Sequence, residues 1–226
     1  MKRIFITGAS RGIGRAIALK LAAPDVTILL HGRDEAALAE VNGEVQKRGA
    51  RTEIIRCELA DARAIEKLEL GAIDVLINNA GIAVVKPFTD VSLGEWQRTL
   101  DINVTAPFLL TQKLTPTMQP GSSIVNILSI AAKAGFAGWS SYCMSKFALE
   151  GFSQAAREEL RPRGIRVINI YPAATNTEIW KSVEGEWPRD KMMSAEQIAD
   201  AVSYALAQPP NVVAENITLS NTAGAL

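Results

Sequence analysis

The feature that most constrains this chain is a recurring pair: a short apolar run without polar alternation, then a longer segment with helical spacing. Val26–Leu30 is such a run, the pattern of a strand covered on both faces. The helical segment before it, Arg15–Ala23, continues a stripe formed by Ile13, Ile17 and Leu21. The same criteria predict strands at Arg3–Thr7, Thr52–Cys57, Ile73–Asn78, Ser123–Leu128, Ile165–Ile170 and Asn216–Leu219. They predict helices at Glu35–Arg48, Asp61–Leu70, Leu93–Met118, Ser140–Leu160 and Ser194–Ala207. Asp61 and Ser194 are candidate N-caps, and Gly49 closes the second helix. Strands that alternate with helices need crossover connections, so the expected fold is α/β: a doubly wound, three-layer sandwich on a seven-stranded parallel sheet.

The chain has 226 residues, 48% of them apolar, which suits one domain over 1–226 with a sizeable core. Its longest irregular stretch is Pro172–Met193, and a lid over a binding site is expected at about residues 175–193. Lys plus Arg equal Asp plus Glu at 24 each, which leaves no electrostatic footprint for nucleic acid or an anionic membrane. Every apolar stretch is broken by glycine or a charge before it could span a bilayer. Met-Lys-Arg runs into the first strand without the apolar stretch of a signal peptide, so a cytoplasmic protein is expected. Cys57 and Cys143 lack metal-ligand spacing, so two reduced thiols and no metal site are expected.

Gly8, Gly12 and Gly14 lie between the first strand and the first helix. That spacing gives a tight turn whose backbone approaches a diphosphate at a helix N-terminus, the nucleotide-binding arrangement of a Rossmann-type sheet. No lysine ends the loop, which argues against a nucleotide-hydrolysing P-loop. The second strand ends Leu30-His31-Gly32-Arg33-Asp34. An acidic residue at Gly32 would bond both ribose hydroxyls and repel a 2′-phosphate. Arg33 instead offers a planar cation suited to phosphate, and Arg11 a second, which points to NADP(H) rather than NAD(H). Arg33 as a solvated turn residue beside an N-capping Asp34 is the competing role. His31 is the single histidine, either near the adenosine end or an ordinary strand-end residue.

Tyr142 and Lys146 are four apart on one predicted helix and share a face. An adjacent ammonium would favour the phenolate and bring the phenol toward a range useful for proton transfer. Ser129 ends the fifth strand and could bond a carbonyl oxygen in the same cleft. Each feature is common by chance; together with a nucleotide loop they supply both halves of carbonyl reduction, a hydride and a proton.

Over essentially its whole length the chain resembles the classical short-chain dehydrogenase/reductase family. The resemblance is carried by Thr7-Gly8-Ala9-Ser10-Arg11-Gly12-Ile13-Gly14, by Asn78-Asn79-Ala80-Gly81, by Asn103 in Asp101-Ile102-Asn103-Val104, and by Ser129, Tyr142 and Lys146 at the family's spacing. It implies that Tyr142 is the general acid or base, and that Lys146 lowers its pKa and bonds the nicotinamide ribose. Ser129 would polarise the carbonyl and Asn103 support a relay water. It implies cofactor contacts from Gly8, Ser10, Arg11, Gly12, Ile13, Gly14, Arg33, Glu58, Leu59, Asn79, Ala80 and Gly81, and from Tyr142 and Lys146. After the sixth strand it implies Pro172, Ala173, Thr175 and Thr177. A homodimer or homotetramer through the helices around 93–118 and 140–160 is also implied.

Three positions depart from the family pattern. Ala173 stands where the family has glycine, which would alter the nicotinamide pocket if a left-handed backbone were needed there. Glu58 stands where the family's aspartate bonds the adenine amine. The helix after Asp61 is shorter than usual. In the lid, Trp180, Trp187, Met192 and Met193, with Phe136 and Trp139 before the catalytic tyrosine, either wall a pocket for a flat or hydrophobic ketone or only pack the lid. Trp139 and Trp180 are the candidate substrate contacts. Tyr142-Cys143-Met144-Ser145-Lys146-Phe147, Met192-Met193 and Asn216-Ile217-Thr218-Leu219 are also similar to bacterial sepiapterin reductase-like members. A 3-oxoacyl thioester reductase and a catalytically silent NADP(H)-binding protein remain open.

Overall fold

The computed structural model describes residues 1–183, 185–222 and 224; Glu184 of the expected lid lies outside the described residues. The strands β1 (Lys2–Ile6), β2 (Val26–His31), β3 (Arg51–Ile55), β4 (Val75–Asn78), β5 (Ser123–Ile127), β6 (Arg166–Pro172) and β7 (Asn216–Leu219) form one sheet. Its order is β3-β2-β1-β4-β5-β6-β7 and every pairing is parallel. The helices are α1 (Gly12–Leu21), α2 (Glu35–Lys47), α3 (Ala62–Glu66), α4 (Leu93–Leu100), α5 (Ala106–Leu114), α6 (Ser140–Leu160) and α7 (Ala195–Leu206).

The two faces of the sheet are covered by different helices, as a doubly wound fold requires. On one face Ile4, Ile6, Ile28 and Leu30 pack against Ala16 and Ile17 of α1, Leu38 and Val41 of α2, and Ile198 and Val202 of α7. On the other, Phe5, Leu29, Leu76 and Ile124 pack against Ile65 of α3, Leu110 and Leu114 of α5, and Leu160 of α6. The continuous apolar strands are thus explained residue by residue, since neighbours on one strand point to opposite, equally buried faces. The order reverses at β1, which pairs with β2 on one side and β4 on the other. The crevice beyond the carboxyl ends of those strands is where such a sheet binds ligands.

Several boundaries differ from the sequence pattern for local reasons. The first helix begins at Gly12, not Arg15, so the glycine turn opens directly into it. Asp61 caps the third helix by accepting from the Arg63 N–H, but that helix ends at Glu66 rather than Leu70. Arg3 reaches across to the Leu70 and Ala72 carbonyls at 3.0 and 3.2 Å in the segment that follows. The pattern over Leu93–Met118 is not one α-helix. α4 runs into a π turn at Asp101–Thr105, closed by the Ala106 N–H donating to the Asp101 carbonyl, before α5 resumes. One extra residue in a turn leaves the apolar period nearly intact, so spacing alone does not reveal it. Ser92 and Ser194 each close a reciprocal capping box, with Glu95 and Gln197. Thr175 and Met193 form a parallel bridge at the base of the segment between β6 and α7, with Asn176 N–H donating to the Met193 carbonyl at 2.8 Å.

Candidate active site

At the crevice the glycine turn is held by its neighbours. Gly8 and Gly12 have φ of +66° and +54°, the left-handed region that favours glycine. A Cβ on Gly14 would run into the Gly8 carbonyl oxygen and sit 2.6 Å from Asn79 Nδ2, so only glycine lets α1 start this close to the turn. Asn79 Nδ2 donates to the Thr7 and Gly8 carbonyls at 2.8 and 3.2 Å. Thr7 Oγ1 accepts from the Asn79 and Ala80 amides at 2.9 and 3.0 Å. The ends of β1 and β4 are therefore stitched together at the switch point.

Two adjoining clefts open there. One is lined by Gly8, Ser10, Arg11, Gly12, Ile13, Arg33, Glu58, Leu59, Asn79, Ala80, Gly81 and Thr177. The other holds Ser129, Tyr142 and Lys146, with Pro172, Ala173, Thr175 and Thr177 on one side and Phe136, Trp139 and Trp180 on another. Ile13, Asn79, Gly81 and Thr177 border both, so the two form one elongated groove past the N-terminus of α1. Of the residues expected to touch cofactor or substrate or to carry the chemistry, Gly14 and Asn103 stand behind the groove and the others line it, whereas Trp187, Met192 and Met193 of the expected lid do not.

The groove fits a dinucleotide phosphate. The backbone cradle leaves no room for a side chain at Gly14 and holds Gly8 and Gly12 at positive φ, and the N-terminus of α1 faces it. Arg11, Arg33 and Lys181 are the cations on the first cleft's wall, Lys181 paired with Glu178, and Gly32 presents no carboxylate. Asp34, also on that wall, is occupied in capping α2, accepting from the Ala37 N–H at 3.1 Å. Both roles considered for the Arg33-Asp34 pair are thus compatible. Arg33 is not a free clamp, however: it donates to Glu58 Oε2 at 3.0 Å, with Arg98 3.7 Å from the same oxygen. Glu58, expected at the adenine amine, spends Oε1 on the Ala60 N–H at 3.1 Å. Both side chains of the pair are about half exposed, so the bond is worth at most about 1 kcal/mol and yields readily to a phosphate.

In the second cleft, α6 presents Tyr142 and Lys146 one turn apart, and Ser129 lies at the end of β5. Burial pushes the Tyr142 hydroxyl up to about 12, against the opposing hydrogen bond from Ser129. Burial pulls Lys146 down to about 8. The expected lowering of the tyrosine by the lysine is absent, because Lys146 Nζ stands 5.6 Å from the Tyr142 ring centroid and donates to the Ile127 carbonyl at 2.9 Å. At neutral pH the phenol is a protonated donor beside a charged ammonium.

Asn103 sits in the π turn, buried, with both ends of its side-chain amide hydrogen-bonded. Oδ1 accepts from the Ile82 N–H, and Nδ2 donates to the Ile82 carbonyl and to Ser145 Oγ, each at 2.9 Å. Ser145 Oγ in turn donates to the Tyr142 carbonyl at 2.7 Å. The Asn103 side chain is thus a brace between the segment after β4 and the tyrosine-bearing turn of α6. Ser145 is the link to Tyr142 that the sequence did not reveal; its place one helical turn after Tyr142 was the available signal. Ala173 carries no strain, since among the described residues no residue other than glycine has positive φ. Its N–H donates to the Leu219 carbonyl at 2.8 Å.

The tryptophans form a cluster above Tyr142. Trp139 packs edge-on against Tyr142 at 5.6 Å, Trp180 at 5.7 Å and Trp187 at 6.1 Å between ring centroids. Trp180 is locked by its Nε1–H donating to the Thr175 carbonyl at 2.8 Å. Trp139 and Trp180 line the cleft, while Trp187 packs against them.

Comparison with known proteins follows the same lines. The family model described as short chain dehydrogenase matches residues 2–187. A sepiapterin reductase from Chlorobaculum tepidum is 35% identical, over 99% of this chain and 98% of that one. A 3-oxoacyl-[acyl-carrier-protein] reductase from Aquifex aeolicus is 33% identical over 88% of this chain and 87% of its own. Among solved structures, the angucycline C-6 ketoreductase LanV with bound NADP superposes with a TM-score of 0.85 at 26% identity, covering 96% of this chain and 93% of that chain.

Proposed function

The chain belongs to the short chain dehydrogenase family, and from that premise we propose that it is an NADP(H)-dependent reductase of a small, flat ketone. The observation that carries the reading is the single groove joining Arg11 and Arg33 at one end to Ser129, Tyr142 and Lys146 at the other. NADPH, when bound, supplies the hydride. Arg33 and Arg11 receive the 2′-phosphate, and the glycine turn with the N-terminus of α1 receives the diphosphate. Ser129 Oγ and the Tyr142 hydroxyl bond the substrate carbonyl oxygen, and Tyr142 passes it a proton as negative charge develops. Lys146 keeps a positive charge beside that transfer and bonds the nicotinamide ribose. Asn103 holds the tyrosine-bearing turn in place.

A flat substrate is favoured by the walls. Phe136, Trp139 and Trp180 flank the reacting groups, and Lys146 is the one charged residue among the described residues lining that cleft. A carrier-bound 3-oxoacyl thioester would find no cation there for its phosphate besides Lys146, which the reaction itself occupies, so the sepiapterin reductase-like alternative is preferred to the thioester one. In the same reading residues 175–193 act as the lid, and a second copy packs on α5 and α6, where Phe108 and Phe147 are exposed.

The test is a fluorescence titration with NADPH and NADH, followed by a screen of ketones, diketones and pterins. Wild type is expected to prefer NADPH, Arg33→Ala to lose that preference, and Tyr142→Phe to bind the cofactor without turnover. Equal or absent binding of both cofactors by wild type overturns the cofactor assignment. Turnover surviving in Tyr142→Phe overturns the assignment of the acid, and binding without turnover of any ketone leaves a silent NADP(H)-binding protein.

A further inference from the structure

His31 ends β2 with its side chain enclosed, 3% exposed, at the floor of the nucleotide cleft. Its ring joins two loops that are far apart in sequence. The Gly8 N–H donates to Nδ1 at 3.2 Å, and Nε2 lies 3.0 Å from the Cys57 carbonyl oxygen. A carbonyl only accepts and an amide N–H only donates, so the two partners select one state: neutral imidazole with its proton on Nε2. The backbone of His31 takes the next amide, with the Ala9 N–H donating to its carbonyl at 2.7 Å. One residue therefore orients two successive amides of the glycine turn, and Gly8 is the residue held at φ +66°.

We infer that His31 is a positioning residue for the cofactor: its neutral ring holds Gly8 in the conformation that receives the dinucleotide diphosphate, and protonation of the ring releases it. An imidazolium would set a second N–H against the Gly8 N–H, so the turn must lose that bond. The groups facing the ring are consistent with a neutral state at physiological pH. Burial lowers the His31 pKa from its ordinary value; the Cys57 carbonyl and the Glu58 carboxylate oppose that, and Arg33 adds to it. The Cys57 thiol is itself held protonated by burial, with Asp61 and Glu58 acting in the same direction. From β1 the neighbour is Phe5, edge-on at 6.3 Å and without charge. Arg11 and Asp34 border the same cleft. The sign follows: the binding-competent form is the deprotonated one, so affinity is full above the His31 pKa and falls as pH drops through it.

The inference rests on the NADP(H) reading above, and its test separates the two. NADPH affinity is measured by fluorescence between pH 8 and 5.5 on wild type, His31→Asn and His31→Leu. Asn places an acceptor near the position of Nδ1 but does not titrate; Leu removes both bonds. Below the His31 pKa the wild-type dissociation constant should rise by up to about tenfold per pH unit beyond any rise in His31→Asn. The titration of the cofactor's own 2′-phosphate is common to all three proteins and cancels in the ratio. His31→Leu should bind more weakly than wild type at pH 8 and follow the pH dependence of the Asn variant. Parallel wild-type and Asn curves overturn the inference, as does wild-type affinity in the Leu variant. If either variant fails to fold, nitrogen-15 NMR of the wild-type ring decides: a protonated Nδ1 at pH 8 overturns the inference, and a protonated Nε2 with bare Nδ1 supports it. Failure of wild type to bind NADPH at pH 8 refutes the cofactor reading instead.

Discussion

Removing the Ser145 hydroxyl tests the idea that the Asn103 side chain acts through α6 rather than through water. Ser145 is 0% exposed, and Ser145→Ala deletes two bonds at once, from Asn103 Nδ2 and to the Tyr142 carbonyl. The carbonyl keeps its helical partner, so its loss is small, about 0.5–1.5 kcal/mol. The Asn103 N–H is left buried without an acceptor, which costs about 1–3 kcal/mol more. The sum, about 1.5–4.5 kcal/mol, should lower the melting temperature by roughly 3–18 °C in a chain of this size. The turn carrying Tyr142 also loses its tether to the π turn, and a displacement of the phenol by about 1 Å should reduce kcat by about a hundredfold. Ser153→Ala is the control. Ser153 lies on the same helix, is equally enclosed, and bonds Asn126 and Asn169 away from the groove. Calorimetry should show comparable destabilisation for both variants, and steady-state kinetics a fall in kcat for Ser145→Ala alone. Wild-type kcat in Ser145→Ala, or an equal loss in both, would refute the reasoning.

Other expectations follow from the same geometry. Gly14→Ala should abolish cofactor binding in titrations, because its methyl meets the backbone of Gly8 rather than a flexible side chain; overpacking of this kind costs about 1–3 kcal/mol of stability as well. Ketone reduction should fall as pH rises through about 8, where Lys146 discharges while Tyr142, held at about 12, keeps its proton. A Lys146→Arg variant, if active, should lose that decline in a pH-rate profile; a decline that persists would assign it elsewhere. Trp139→Ala should raise KM for flat aromatic ketones more than for short aliphatic ones, measured on a paired panel, since its ring both lines the cleft and packs on Tyr142.

Much of the molecule was legible in the chain because the relevant information is local. Short β-branched apolar runs such as Val26–Leu30 read as doubly covered strands, and helical segments between them call for parallel crossovers, so the layered sheet was legible from pattern. The glycine turn, the one-turn separation of Tyr142 and Lys146, and Ser129 at a strand end are likewise fixed by short spacings. What was not legible depends on partners distant in sequence. The π turn at Asp101–Thr105 hides within an ordinary helical period, so the brace from Asn103 to Ser145 appears only when α6 packs beside it. Arg33 reads as a free cation until the fold brings Glu58 and Arg98 to it. His31 reads as an ordinary strand-end residue until Gly8 and Cys57 meet on either side of its ring. Lys146 reads as the group that lowers the tyrosine's pKa, yet enclosure turns it to the Ile127 carbonyl and shifts both residues against ionisation. The sequence by itself determined the layers, the crevice and which candidate side chains border it, because these need only backbone geometry and the burial pattern of each segment. Tertiary structure alone decided hydrogen-bond partners and proton affinities, because both depend on which groups share a water-excluded space.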